Sequence, residues 1–285
     1  MRTWMPTAAG LTVLAGAPIL LLATGHTRII TSADEEAAAV PLAAVVVPCL
    51  VGLILIRLVP PSLPVMAIAG DDVTRRQARG LAGVALLFTA LAIAVRALPG
   101  GSDLYPLVKV LVLLGGGWLV LRSARGRSPA RAHRERVPRL WYRLGPVPAV
   151  LAWGYLYFYS PLAGGGEDVS GYADWDRVEL ALTMLFVFFT ASVLEEWFYR
   201  VALQTRLEAL WGRWPAITAA ALLFVLMHAY RLVDEPSVVV ALGTITSTGA
   251  LALMAGYLWS RYRNMWAIFV VHGAANALAL IPLFV

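Results

Sequence analysis

The sequence predicts an all-α fold: a polytopic transmembrane helical bundle of about nine spans, or eight if one short segment is re-entrant. Three observations carry this expectation. The 285 residues are 60% hydrophobic and 14% charged, with a mean hydropathy of +0.73; a soluble domain runs nearer ~45–50% apolar and ~25% charged. Apolar runs close to the ~20 residues needed to cross the hydrocarbon of a bilayer recur along the chain. The arginines, 22 of the 23 basic residues, collect in alternate loops between those runs.

The runs are roughly 7–25, 37–59, 80–98, 104–121, 145–162, 180–204, 215–230, 237–260 and 265–285. The first follows Arg2 as a signal peptide's apolar stretch would. No clear cleavage site follows it and one arginine is a thin basic region, so a retained helix is expected. Pro41 and Pro48 predict a kink or an edge in the second. With the N-terminus cytoplasmic, the inner segments hold Arg2, Arg75, Arg76 and Arg79, eight arginines from Arg122 to Arg143, Arg206 and Arg213, and Arg261 and Arg263. The outer segments hold only Arg28, Arg177 and Arg231, three against sixteen. Acidic residues gather on the outer side: Asp34, Glu35, Glu36, Asp103, Glu167, Asp168, Asp174, Asp176, Asp234 and Glu235. A wrong span count would scramble this alternation, so it supports nine helices running from an inner N-terminus to an outer C-terminus.

The basic stretch 122–144 is the one clear internal boundary. It separates N-terminal helices 1–121, which carry no motif, from a C-terminal membrane unit 145–285. Its arginines are expected to lie on anionic headgroups of the bilayer; no nucleic-acid-binding motif accompanies them, and no nucleic-acid partner is expected. The single cysteine, Cys49, excludes an intramolecular disulfide and metal clusters held by several thiolates. The arginine-over-lysine bias and the alanine and glycine content point to a high-GC bacterial genome, hence an inner-membrane protein. No lipidation motif closes the C-terminus.

Ionisable groups at membrane depth are costly and mark function by default. Most lie in the last third of the chain. The sixth run contains Glu195, Glu196 and Arg200, the seventh Phe224 and His228, the ninth His272 and Asn276. Residues four apart share a helix face, so Glu196 and Arg200 can pair, while Glu195, turned about 100° away, is expected to keep a free carboxylate facing a cavity. His272 and Asn276 share a face, as do Phe224 and His228, whose ring can wall the site. At ~1.5 Å per residue the groups reach overlapping depth, from the cytoplasmic half to the midplane. A carboxylate with an imidazole can activate water, and a second imidazole with an amide N–H can hold an oxyanion. The set suits amide hydrolysis. The sequence has no Gly-x-Ser-x-Gly and no His-Glu-x-x-His.

The motifs Glu195-Glu196-x-x-x-Arg200, Phe224-x-x-x-His228 and His272-x-x-x-Asn276 stand in order on three separate runs. In this the sequence resembles the CAAX protease and bacteriocin-processing family of membrane proteins, which includes the type II CAAX prenyl endopeptidases, over about residues 145–285. The resemblance implies a glutamate-dependent intramembrane endopeptidase without a cofactor. Glu195 would be the base, assisted by His228; His272 and Asn276 would stabilise the oxyanion; Glu196, Arg200 and Phe224 would support them. Val201 stands where relatives often have glycine, which bears on close helix packing there. The implied partner is a membrane-associated protein or peptide, prenylated or carrying a C-terminal sorting tail. Three other readings stay open on the residues themselves: a zinc-dependent membrane protease using the same side chains, a proton-coupled transporter, and a catalytically silent scaffold. Glu195 and Glu196 also suit a salt-bridged helix end, and His272 with Asn276 suits polar glue between helices. Lys109 and Arg96 are expected to snorkel or pair and receive no role. His26 and His133 are expected in solvated loops.

Overall fold

A computed structural model of the chain describes residues 4–31, 39–60, 68, 70–123, 139–164 and 169–284. Arg2, the acidic Asp34, Glu35, Glu36, Glu167 and Asp168, His133 and the greater part of the basic 122–144 stretch lie outside the described residues.

Each apolar run of the sequence overlaps one helical rod among the described residues. In chain order these are Trp4–Ala23, Leu42–Leu58, Asp72–Arg96, Gly101–Ser123, Val147–Phe158, Arg177–Trp211, Arg213–Asp234, Val238–Tyr262 and Met265–Phe284. Seven are long and apolar enough to cross a membrane; Leu42–Leu58, with 17 residues, and Val147–Phe158, with 12, are shorter. The protein is an all-α polytopic bundle. Lipid offers backbone groups no hydrogen-bond partner, so a spanning chain satisfies them within each helix. The one strand pairing among the described residues is two residues long, Arg28–Ile29 against Val40–Pro41, and it closes the first interhelical connection. Leu111, Leu151 and Leu182 are exposed on the outer surface, which suits a wall facing hydrocarbon.

Several helix ends depart from the sequence expectation, for local reasons. The third rod starts at Asp72 rather than near residue 80. Asp71 caps it, its carboxylate accepting the Thr74 N–H at 2.8 Å, and Arg75 pairs with Asp72 one turn in at 2.8 Å. The arginines counted as loop residues are therefore its first polar turns. The long rod Arg177–Trp211 is capped by Asp176, which accepts from the N–H groups of Val178 and Glu179. It stops at Gly212, whose φ of 83° favours a residue without a side chain. Of the two prolines, Pro41 stands just before the second rod, in the strand pair, and Pro48 lies buried within it.

Val238–Tyr262 is the central rod, packed against the first, second, seventh and ninth. Without a hydrophobic drive between helices in lipid, close approach depends on small residues. A Cβ on Gly256 would lie 2.9 Å from Gln204 Oε1. In its absence Gln204 Nε2 reaches the Gly256 carbonyl at 2.8 Å and Glu208 at 2.7 Å.

The rods alternate in direction, which long-range ties at both ends fix. At one end Arg96 meets Asp234 at 2.8 Å, and Arg231 Nη2 donates to the Thr31 carbonyl at 2.6 Å. At the other, the Tyr262 hydroxyl donates to the Val59 carbonyl at 3.0 Å, Asn264 to that of Tyr142 at 2.9 Å, and Arg263 pairs with Glu208.

Candidate active site

The two glutamates sit on a single α-helical turn, Leu194–Glu196, between two π-helical stretches, Phe188–Val193 and Trp197–Gln204. Such wide turns inside α-helices frequently mark functional sites. A third, Val110–Gly116, follows Lys109 on the Gly101–Ser123 rod facing them.

The carboxylates are fully enclosed: Glu195 is 2% exposed, Glu196 0%, Arg200 1% and His272 5%. Glu196 Oε2 lies 3.2 Å from Arg200 Nε, the i,i+4 pair the spacing predicted, as an ion pair without hydrogen-bond alignment. Glu196 Oε1 lies 2.9 Å from His272 Nδ1. A carboxylate accepts, so His272 donates from Nδ1 and turns Nε2 the other way. That atom stands 3.9 Å from Glu195 Oε2, which has no hydrogen bond to a described residue. One imidazole thus bridges both glutamates.

Glu195 corrects one expectation. Its carboxylate is not free: Oε1 accepts from Lys109 Nζ at 2.6 Å, and the ammonium also lies 4.9 Å from the Tyr105 ring centre. Placing one ionised group in a low dielectric costs several kcal/mol, which an opposite charge at hydrogen-bond distance offsets. Two carboxylates against one ammonium and one guanidinium leave the cluster neutral when the imidazole is neutral.

His228 stands apart from the glutamates and makes no ion-pair contact with either. Its Nδ1 lies 2.9 Å from the Phe224 carbonyl, which can only accept; the proton is therefore on Nδ1 and, in the neutral ring, Nε2 carries the lone pair. Phe224 connects the halves of the site. Its ring centre is 5.0 Å from that of His228, 5.8 Å from His272 and 4.9 Å from the Arg200 guanidinium. Asn276 Nδ2 donates to Ser192 Oγ at 3.2 Å, which ties the last rod to the turn before the glutamates. A cavity of about 100 Å³ is lined by Phe224, His228, Arg231, His272 and Asn276. Glu195 does not line it and meets it through His272. A larger cavity of about 250 Å³, beside Arg75, Arg79 and Trp211, contains none of the motif residues.

The structure therefore gathers Glu195, Glu196, Arg200, Phe224 and His272 into one contact network, with His228 joined through Phe224 and Asn276 through Ser192. Sequence reasoning missed Lys109, Ser192 and Arg231. Lys109 had a legible signal, as the single lysine of the chain and within an apolar run. Ser192 and Arg231 had none. Among the described residues no group of three or more His, Cys, Asp or Glu side chains could hold a metal ion.

Two buried carboxylates and the buried imidazole of His272 thus lie together beside a small cavity whose wall also carries His228. Residues 177–278 match the family model described as Rce1-like type II CAAX prenyl endopeptidase, so over that segment, which contains all three motifs, the chain is similar to the CAAX protease family, and the family implies a protease. No curated protein matches the chain, and no solved structure does.

Proposed function

We infer that the protein is an intramembrane endopeptidase that hydrolyses a peptide bond near the C-terminal tail or in a membrane-proximal segment of a membrane-associated protein. The observation that carries this reading is the His272 bridge: Nδ1 fixed by Glu196 at 2.9 Å, Nε2 aimed at Glu195 Oε2 at 3.9 Å, and the same ring on the cavity wall. Two polar atoms that far apart can both reach one water at ordinary hydrogen-bond lengths. Glu195 takes a proton as that water attacks the scissile carbonyl. Asn276 Nδ2, with one N–H beyond its bond to Ser192, receives the oxyanion, while His272, its Nδ1–H held by Glu196, positions the water through Nε2. The proton returns to the leaving nitrogen from Glu195, with His228 Nε2 as the second proton-carrying group beside the cavity. Lys109 and Arg200 hold the carboxylates in place.

A resident zinc ion does not suit these residues. Lys109 Nζ occupies one Glu195 oxygen at 2.6 Å and Arg200 flanks Glu196 at 3.2 Å, so a dication would enter a cluster already balanced by two cations, with few free donors. Purified protein treated with a chelator is expected to keep its cleavage rate. Stoichiometric zinc, with activity lost on chelation and restored by metal, would overturn the metal-free mechanism.

Asn276→Ala is expected to lower the cleavage rate about 10²–10³-fold, the usual loss for one oxyanion donor. An unchanged rate removes Asn276 from the mechanism. The reading as a whole is tested by comparing membrane-protein termini in cells carrying the wild-type or the Glu195→Ala protein. New termini confined to the wild type are expected; identical sets would defeat it.

A further inference from the structure

Lys109 stands well inside the rod Gly101–Ser123 and is 7% exposed. A lysine that merely snorkels sends its ammonium out to the headgroups. This one turns inward to Glu195 Oε1 at 2.6 Å, its one ion-pair partner among the described residues. Two neighbours hold it there. Tyr105, one turn earlier on the same rod, places its ring centre 4.9 Å from Nζ, and that ring packs on Tyr230 with centres 4.9 Å apart. Beyond the wide turn Val110–Gly116, a Cβ on Gly117 would lie 3.2 Å from the Phe198 ring. The bare glycine therefore lets this rod lie close against the one that carries the glutamates.

The contact has a chemical consequence. A carboxyl as enclosed as Glu195 takes up a proton unless a cation stands against it, and a protonated carboxyl is no base. Glu196 finds its cation, Arg200, one turn along its own rod. Glu195 finds its cation on another rod. His272, neutral with its proton on Nδ1, supplies none. The lysine also makes the two carboxylate oxygens unequal: Oε1 is held, while Oε2 has no hydrogen bond to a described residue and lies 3.9 Å from His272 Nε2.

We propose that Lys109 is a positioning residue of the reaction: it keeps Glu195 ionised inside the bundle and leaves Oε2 as the single basic oxygen. It lies outside the segment 177–278 that matches the family model, so the N-terminal rods, which carry no motif, complete the active site rather than flank it. The proposal rests on the endopeptidase reading, in which Glu195 is the base.

The test uses the purified full chain in lipid vesicles and two measurements. The first is infrared absorption, with the Glu195 contribution isolated by subtracting the matching Glu195→Gln protein. With Lys109 present a carboxylate band is expected; in Lys109→Met a carboxylic acid C=O band should replace it, and Lys109→Arg should restore the carboxylate. An unchanged carboxylate in Lys109→Met overturns the proposal, as does an acid band in the wild type. The second is turnover of a quenched fluorescent peptide built on a cleavage site found in the comparison of membrane-protein termini. Lys109→Met is expected to lower kcat toward that of Glu195→Gln, by about 10²-fold or more, with KM changed by less than about threefold. Lys109→Arg should recover at least about tenfold of the loss, because it keeps the cation. Lys109→Met/Glu195→Gln should be no slower than Glu195→Gln alone, since both changes act through one group. A Lys109→Met protein as fast as the wild type or faster overturns the proposal, and so does a double variant slower than Glu195→Gln by about tenfold, the sign of a separate role. If Lys109→Met fails to accumulate, the double variant decides: with no charge left to hold, it should accumulate as Glu195→Gln does, and its failure would make the lysine a packing residue. The infrared reading needs no turnover, so a wild type that cleaves nothing would defeat the endopeptidase reading and leave the hold on Glu195 to be judged separately.

Discussion

Glu195→Gln is expected to lower cleavage of a membrane-tethered substrate by about 10²–10⁴-fold, the usual contribution of a positioned general base, with a smaller loss of thermal stability in detergent than Glu195→Ala. The side chain keeps its shape. Its amide oxygen can still accept from Lys109 and its NH2 group can still face His272, so the loss falls on proton transfer rather than packing. Glu195→Ala removes the same base but leaves the Lys109 ammonium, 7% exposed, without its carboxylate, and should lose activity and stability together. The comparison separates the two roles of one residue. Activity retained in Glu195→Gln, measured as turnover of purified protein in lipid, would move the base elsewhere, with His228 the next candidate.

Arg200→Ala is expected to destabilise the fold by about 3–5 kcal/mol, because truncating one partner of a buried pair leaves the other charge uncompensated. Glu196 is 0% exposed, so water cannot replace the guanidinium. The Phe224 ring loses the cation packed at 4.9 Å from its centre as well. The measurement is the unfolding midpoint in detergent, alongside Glu196→Gln/Arg200→Met. That double variant should recover a large part of the loss, since it removes both charges and keeps most of the volume. A double variant no more stable than Arg200→Ala would mean that the uncompensated charge of Glu196 is not the source of the loss. Its activity should stay low even when stability returns, because His272 would lose the carboxylate that orients it.

These two experiments address residues whose importance the sequence announced and whose partners it did not. Glu196 and Arg200 were readable as a pair because four residues of separation on one helix decide it. The meeting of His272 with both glutamates was readable only as a convergence of depths. The Lys109 contact was not readable at all: 86 positions separate it from Glu195, and nothing in either segment encodes which neighbouring rod will face the carboxylate. Helix periodicity says where a side chain points relative to its own axis, and tertiary packing alone says what stands opposite. The same limit explains the cavity. His228 was expected to assist Glu195 directly, yet the structure turns His272 toward that carboxylate and leaves His228 across the Phe224 ring. The apolar runs themselves were legible because lipid demands them, whereas helix starts at Asp72 and Arg177 depended on single capping carboxylates beyond the apolar windows.

The wide turns on either side of Leu194–Glu196 also make the site sensitive to helix winding. Relaxing Phe188–Val193 into ordinary 3.6-residue winding without losing a residue would rotate everything downstream by about 100°. The segment would remain as greasy as before and still insert, but its acids would swing off both the ammonium and the imidazole. Substitution along the lipid-facing stripe is therefore a mild perturbation of this rod, while a change that straightens the wide turn, invisible to any hydropathy profile, would dismantle the cluster.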